Sequence, residues 1–294
     1  MSGQADYAAQ ATLDWMAGRR AMPALVNRFL ALFITAPTSD AGTGGTEASG
    51  TGYARVQVSG QVAATATWTT STPNITAATN PGWVVPGMNV WDNTIAGGAQ
   101  VGTVSTYTGT ALVLTANAAV ASNGSTDQLQ FSAWPAAVAS SGNEPATVPA
   151  ASTSGAAVTF AQAGGSWGTV TSWALYDAVT AGNMIAWDYL GNFKWIPFTC
   201  TSATPGVLST DLAADVPAAA TPCVVTAKYG ATLPTTGGTW AGVLTSASPS
   251  GVTFNLGVNT TSTGGGNFRQ IVQQAIAANV TASFSAGQLI LSQA

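Results

Sequence analysis

The stretch of sequence that decides the fold is an uncharged, apolar run close to the N-terminus. It reads Phe29-Leu30-Ala31-Leu32-Phe33-Ile34-Thr35. Pro37 and a glycine-rich stretch follow it, so the run is bounded by residues that end regular structure. A short apolar run between such breakers is typical of a strand that is buried on both faces. We therefore expect a buried β-strand here, since the run is too short to span a bilayer.

The residues before this run have a different pattern. Apolar side chains recur at helical spacing, at Tyr7, Ala8, Ala11, Trp15 and Met16. This predicts an amphipathic helix over about Gln4–Ala17, with Ser2 as a plausible cap and Gly18 ending the pattern. Arg19 and Arg20 follow it, where positive charge complements the helix dipole. We expect the apolar stripe to cover one face or end of a sheet.

Beyond the central run the signals are those of strands and turns. Residues alternate between apolar and polar over Tyr53–Val58, as expected of a half-buried strand. Further strands are predicted at Thr169–Tyr176, Met184–Tyr189, Val280–Phe284 and Leu289–Leu291. Turns are predicted at Asp177–Asn183 and Ser285–Gly287, and a short helix over Asn267–Asn279.

These elements predict a mainly β fold: a discontinuous β-sandwich-like framework with an N-terminal α-helix and two inserted small β modules. The framework comprises residues 1–59, 155–198 and 270–294. The first inserted β module covers residues 60–150 and the second covers residues 199–269. Turn signals recur through both modules at the spacing of small sandwiches and barrels. We expect the three framework blocks to share a sheet, because insertions are tolerated at loop tips.

Charge is scarce along the whole chain. Seven basic and eleven acidic residues stand among 294, and histidine is absent, whereas soluble domains carry about 25% charged residues. The most common general base and metal ligand is therefore missing. We expect no enzyme activity, no catalytic or cofactor-binding residues, no cofactor and no metal, although an oxygen-only calcium site needs no histidine. No basic cluster favours nucleic acid, and no signal peptide or membrane anchor is expected.

The two cysteines, Cys200 and Cys223, permit two readings. A disulfide would close a loop between them. Alternatively, they are two buried or half-buried thiols. A metal site would require further ligands that histidine does not supply here.

Two pairs of acidic residues are candidates for a catalytic pair, since glycoside cleavage requires two carboxyl groups about 5–10 Å apart. Asp177 and Asp188 are predicted on adjoining strands, and Asp211 and Asp215 are four residues apart. A turn role for Asp177 and solvated loop positions for the others explain them without catalysis. We favour the structural interpretation.

A structural ion pair is the other charged arrangement that the sequence predicts. Asp40 and Glu47 lie in a loop rich in glycine and threonine, and Arg55 follows it. Either carboxylate is placed to approach Arg55 and hold the loop. Plain exposure to solvent is the alternative.

Tryptophan is dense in the β regions, at Trp83, Trp91, Trp134, Trp167, Trp173, Trp187, Trp195 and Trp240. Aromatic β surfaces bind sugars, receptors or other proteins. Aromatic rings also supply bulk to a core that is otherwise rich in alanine. We favour the core role for most of them.

Several of these motifs together resemble a family of tailed bacteriophages. The residues that carry the resemblance are the run from Phe29 to Thr35 with Ala36-Pro37-Thr38-Ser39-Asp40-Ala41-Gly42, then Gly45-Thr46-Glu47-Ala48-Ser49-Gly50 and Gly52-Tyr53-Ala54-Arg55, and later Gly168-Thr169-Val170-Thr171-Ser172-Trp173-Ala174-Leu175-Tyr176-Asp177-Ala178. They are similar to virion structural proteins commonly labelled phage tail fiber protein. The resemblance covers the framework blocks, and the two inserted modules resemble other phage β modules. It implies no catalytic residues.

Composition and resemblance agree on a non-enzymatic structural protein of a tailed bacteriophage virion. We place a capsid-surface decoration or cement role first, because the chain has neither the heptads nor the β-helix repeats of an elongated fibre. The alternative is a tail fibre or other tail component, which binds a receptor or glycan. We expect a homo-oligomer that is made in the bacterial cytoplasm and binds the major capsid protein or tail proteins. A host surface glycan is a further possible partner.

Overall fold

The computed structural model describes residues 3–19, 27–37, 44–95, 98–124, 126–135, 150–153, 155–190, 196–203, 206–209, 222–227, 239–243, 246–247, 253–255, 265–270, 273–286 and 288–293. The chain divides into two compact units. One comprises Ser2–Asp188 with Ala275–Ala294, and the other comprises Tyr189–Gln274.

The elements that precede the second unit are one helix and fourteen strands, within the described residues. In chain order they are β1 (Gly3–Gln4), α1 (Asp6–Met16), β2 (Arg28–Thr35), β3 (Thr46–Glu47), β4 (Val56–Ala63), β5 (Asn74–Thr76), β6 (Asn89–Asp92), β7 (Ala99–Thr108), β8 (Ala111–Leu114), β9 (Gln128–Ser132), β10 (Ala150–Thr153), β11 (Val158–Gln162), β12 (Gly168–Val170), β13 (Ser172–Tyr176) and β14 (Met184–Tyr189).

The elements that follow are again strands. They are β15 (Ile196–Ala203), β16 (Gly206–Ser209), β17 (Pro222–Ala227), β18 (Thr239–Val243), β19 (Ser246–Ala247), β20 (Thr253–Asn255), β21 (Gly265–Gln270), β22 (Gln274–Ile276), β23 (Thr281–Phe284) and β24 (Ile290–Gln293). The mainly β class with an N-terminal helix is therefore confirmed.

Eleven strands form the large sheet of the first unit. Their order is β1-β14-β13-β2-β4-β9-β6-β7-β8-β5, and β3 pairs with β2 at its side. Three two-stranded sheets join β10 to β24, β11 to β23, and β12 to β22. Strand β2 pairs antiparallel with both of its neighbours in this order, β13 and β4.

The apolar run that begins at Phe29 forms a buried strand inside this sheet, and the predicted buried strand is confirmed. It lies within β2, between β13 and β4, with Ala31 opposite Ala174 on β13. Five consecutive residues, 29–33, are buried. Alternation is absent because protein covers both faces of the strand, which is the situation that favours a continuous apolar run.

The helix α1 has nearly the predicted length, but its packing differs from the expectation. Ala11 is its one buried residue, whereas Trp15 is 56% exposed and Met16 is 72% exposed. The stripe therefore does not cover a sheet face, and the prediction was wrong. Arg19 follows the last turn and pairs with Asp14 at 2.6 Å, and its interaction with the helix dipole stays a prediction. The N-cap is Ala5, so the prediction of Ser2 as the cap was wrong. Arg20 lies outside the described residues.

Two local predictions need correction. The alternating segment Tyr53–Val58 becomes a strand only from Val56, where pairing with β2 begins. The short helix predicted over Asn267–Asn279 does not form. Strand β21 occupies its start because both β15 and β17 pair with it, and β22 lies further along. Tertiary pairing overrides the weak helical spacing of the apolar residues.

The second unit contains a seven-stranded antiparallel sheet. Its order is β18-β17-β21-β15-β16-β20-β19. In the first unit, β4 runs across the predicted boundary at residue 59 and pairs with β9, so the large sheet continues into residues 60–150. Strands of residues 1–59 and 155–198 share the large sheet, but β22, β23 and β24 pair outside it, so the expectation of one sheet for all three framework blocks was wrong. The division into framework and inserted modules stays a prediction.

Candidate functional site

Two of the few charged side chains, Glu47 and Arg55, meet in the first unit where β3 ends and β4 is about to begin. Arg55 donates from Nε to Glu47 Oε1 at 2.9 Å and from Nη2 to Glu47 Oε2 at 2.8 Å. This is the planar, two-bond arrangement that only an arginine forms with a carboxylate. The predicted ion pair is thus confirmed for Glu47. Asp40 lies outside the described residues.

The same guanidinium also holds the turn between β13 and β14. Arg55 Nη1 donates to the carbonyl oxygens of Ala178 at 3.0 Å and Ala181 at 2.7 Å. Its Cζ lies 3.5 Å from the ring centroid of Tyr176, which is a cation–π contact. Four of the five guanidinium N–H groups are therefore used within the protein, and the side chain is only 8% exposed. The guanidinium of Arg55 therefore uses these donors to bind acceptors of the same chain.

Tyr53 connects this pair to the central strand. Its hydroxyl donates to Glu47 Oε1 at 2.9 Å and accepts from the backbone N–H of Leu32 at 3.0 Å. Burial, opposed by the Leu32 hydrogen bond, raises the pKa of Tyr53. Burial alone would lower the pKa of Arg55, but the hydrogen bond and charge of Glu47 outweigh it and raise that pKa. We call Glu47, Tyr53, Arg55 and Tyr176 the Arg55 cluster.

The segment before Tyr53 is held by close backbone contact with residues 162–168. The carbonyl oxygen of Thr51 accepts from Gly164 N at 2.8 Å and from Trp167 Nε1 at 3.1 Å. Gly50 has a φ of 138°, and a Cβ there would lie 2.7 Å from the carbonyl oxygen of Ser166. The glycine in this motif is therefore required by both conformation and space.

Tyr176 and the turn carbonyls were not predicted as partners of Arg55. They lie more than a hundred residues away along the chain. No local pattern marks such a contact, because it depends on β13 pairing with β2. Conversely, the short separation of Glu47 and Arg55 made that pair accessible to sequence reasoning.

The acidic residues weighed as a catalytic pair have structural roles or lie outside the described residues. Asp177 accepts from the backbone N–H of Asn183 at 2.7 Å and from its Nδ2 at 2.8 Å. This confirms the predicted turn role. Asp188 is buried within β14, so the solvated loop position predicted for it was wrong. Asp211 and Asp215 fall outside the described residues.

The backbone register separates the two cysteines. Thr199, next to Cys200, lies opposite Gly265 on β21, whereas Cys223 lies opposite Gln270 on the same strand. Five residues of β21 span about 16 Å, and disulfide-bonded cysteines have Cα atoms within about 7 Å. A disulfide within the chain is therefore excluded.

The tryptophans mostly contribute to the core, as favoured. Trp134, Trp167 and Trp173 are buried, and Trp83, Trp91 and Trp187 are half-buried. Trp195 lies outside the described residues, and Trp240 belongs to β18. Trp167 stacks edge-on against Tyr53 with ring centroids 5.3 Å apart. This aromatic contact joins the Arg55 cluster to the core.

The C-terminal half of α1 presents an apolar surface to solvent. Leu13 is 59% exposed, and Trp15 and Met16 are exposed to a similar or greater degree. We call these three residues the α1 surface. Leu13 and Met16 are three positions apart and so are neighbours on the helix surface, whereas Trp15 lies on another face. Exposed apolar side chains of this size are typical of sites of protein contact.

The described residues contain no group of three or more His, Cys, Asp or Glu side chains that could hold a metal ion. In the same part of the chain, no helix is long and apolar enough to cross a membrane.

Comparison with protein families gives a match over the N-terminal two thirds of the chain. The family of the podophage GP4 fiber I protein gp80 matches residues 3–133 and residues 101–197, which together exceed half of the chain. No curated protein and no solved structure gives a match. The matched residues include the Arg55 cluster. They also include residues 60–133, which belong to the predicted first inserted module and lie outside the resemblance described above. A fibre family implies a structural protein of the virion. The chain therefore belongs to the podophage GP4 fiber I protein gp80 family, a family of phage tail fibre proteins.

Proposed function

We propose that this protein is a structural component of the phage tail fibre, bound to another virion protein through the α1 surface. The observation that carries the proposal is the match to a fibre family over more than half of the chain. It supports the tail location, which the sequence analysis ranked second, over decoration of the capsid surface. The scarcity of charge and the internal use of the Arg55 donors agree with a structural role.

The α1 surface is the best candidate for attachment. Trp15 and Met16 expose large apolar groups, and aromatic residues and methionine are enriched in protein interfaces. Burial of such side chains against a partner contributes about 25 cal/mol per Å² of apolar area. The charge-poor surface adds little repulsion between copies. We therefore also expect the protein to form a homo-oligomer.

Two experiments test the location and the attachment. Gold-labelled antibody against this protein should mark the tail of purified particles, and label on the capsid surface would overturn the fibre assignment. The triple variant Leu13→Ser, Trp15→Ser, Met16→Ser should fold normally but be lost from particles assembled in its presence.

The matched control is Val179→Ser, which removes an apolar side chain that is 49% exposed in the turn after β13. This variant should enter particles at the wild-type level. Incorporation of the triple variant at the same level would show that α1 is not the attachment surface, while leaving the fibre assignment to the antibody result.

A further inference from the structure

A second group of buried polar side chains lies at one end of the large sheet. Asp92 is the last residue of β6, and Asp127 immediately precedes β9. These strands pair antiparallel, with Asp92 opposite Leu129. The turn that leaves β6 and the segment that enters β9 are therefore neighbours. Asp92 is 0% exposed and Asp127 is 3% exposed.

Three side-chain oxygens surround the hydroxyl oxygen of Thr94 here. Its Oγ1 lies 2.5 Å from Asp92 Oδ1, 2.8 Å from Asn123 Oδ1 and 3.1 Å from Asp127 Oδ1. We call Asp92, Thr94, Asn123 and Asp127 the oxygen cluster. Two backbone donors complete it: Thr94 N–H to Asp92 Oδ1 at 2.9 Å, and Asn123 N–H to Asp127 Oδ2 at 3.1 Å.

The Thr94 hydroxyl alone cannot donate to all the side-chain oxygens around it. A threonine hydroxyl has one proton, yet three acceptor oxygens surround this one. Rotating the Asn123 amide so that its Nδ2 donates still leaves two carboxylates competing for one proton. The two carboxylate oxygens lie within about 6 Å of each other, where like charges repel appreciably.

One acceptor is left without any donor. Asp92 Oδ2 is fully buried and has no hydrogen-bond partner in the described part of the chain. The described salt bridges, Arg19 to Asp14 and Arg55 to Glu47, bring no basic side chain to Asp92 or Asp127. Burial of carboxylates without a compensating positive charge is costly. Two buried carboxylates that lie close together, with no basic side chain described beside them, are chemically suited to hold a cation.

We propose that the oxygen cluster binds a divalent cation, with the chemistry of Ca²⁺. Its donors are two carboxylates, an amide oxygen and a hydroxyl, which are hard oxygen ligands of the kind calcium prefers. A charge of +2 would neutralise both carboxylates, including that of Asp92, whose Oδ2 has no partner in the described part of the chain. With only two charged ligands, we expect a dissociation constant of about 0.1–1 mM, as in extracellular calcium modules. This proposal does not depend on the proposed function.

Calcium titration of the full-length chain tests the site. In isothermal titration calorimetry, CaCl₂ should give a saturable heat with one site per chain. The transition temperature for thermal unfolding should rise by about 2–4 °C in about 10 mM CaCl₂ relative to EDTA, with a smaller rise in MgCl₂. Absence of both the heat and the shift in the wild-type protein would overturn the proposal.

Two variants test whether the calcium-dependent shift in unfolding temperature depends on the oxygen cluster. Asp92→Asn and Asp127→Asn should each abolish the calcium-dependent shift, yet unfold in EDTA close to or above the wild-type temperature, because each removes a buried charge. The matched control, Asp177→Asn, removes a carboxylate that also holds a turn and should keep the full calcium shift. A calcium shift that persists in both cluster variants contradicts the proposal.

Discussion

The Arg55 cluster and the oxygen cluster each place a carboxylate at the end of a short strand, but among the described residues a positive charge is found only in the first. In the first, Glu47 receives two bonds from Arg55. In the second, Asp92 and Asp127 share the hydroxyl of Thr94. The comparison indicates two ways for a charge-poor protein to bury an anion: with an internal cation, or with one taken from solution.

The two clusters also differ in what they hold together. Arg55 joins β3, the turn after β13 and, through Tyr53, the central strand β2. The oxygen cluster joins the turn after β6 to the segment before β9. The first should therefore stabilise the fold under all ionic conditions, and the second only when calcium is present.

The largest effect is expected from removal of the internal cation, the Arg55 side chain. Arg55→Ala leaves Glu47 and two turn carbonyls without their donor, so the free energy of unfolding should fall by about 3–5 kcal/mol. Urea denaturation measures it. Arg19→Ala is the control, because Arg19 is 67% exposed in its pair with Asp14 and should cost at most about 1 kcal/mol. Equal losses in the two variants would mean that the Arg55 cluster contributes no more than a surface pair.

A second change tests whether the Arg55 cluster depends on backbone contact as well as charge. Gly50→Ala introduces a Cβ against the carbonyl oxygen of Ser166 at a positive φ, so we expect a loss of about 1–3 kcal/mol in urea denaturation. Gly82→Ala is the control, since Gly82 has a φ of 89° but nothing within 4 Å of its Cβ position. A loss no larger than that of the control would show that contact with residues 162–168 does not constrain this segment.

The smallest effect concerns the hydroxyl that links the cluster to β2. Tyr53→Phe leaves the N–H of Leu32 without its acceptor and should cost about 1–2 kcal/mol at neutral pH. The folded state holds the Tyr53 proton more tightly than the unfolded state does. Above pH about 10 the unfolded chain therefore loses this proton first, which favours unfolding.

The pH dependence separates Tyr53 from the other tyrosines, because burial also raises the pKa of Tyr107 and Tyr176. Stability of the wild-type protein should fall above pH 10 more steeply than that of Tyr53→Phe, by up to about 1.4 kcal/mol per pH unit. Denaturation curves between pH 9 and pH 11 measure this difference. Parallel curves for the two proteins would mean that Tyr53 is not held protonated by the fold.

Sequence reasoning succeeded where the cause is local. The buried strand β2 followed from an apolar run between breakers, and the pair of Glu47 with Arg55 followed from their separation of eight residues. It failed for residues 267–279, where pairing of β21 with two other strands overrides helical spacing. It also failed for α1, whose apolar stripe remains largely exposed. A stripe indicates that a surface is apolar, but not which partner covers it.

Composition and local pattern by themselves determined the mainly β class, the scarcity of charge and the resemblance to phage tail proteins. These depend on residue types and on neighbours within a few positions. Only the tertiary structure decided the separation of Cys200 from Cys223, the contact of Arg55 with Tyr176 and the convergence of Asp92 and Asp127. Such contacts depend on which strands pair and in what register. That choice is made by the burial and hydrogen bonding of whole strands together, so no single segment encodes it.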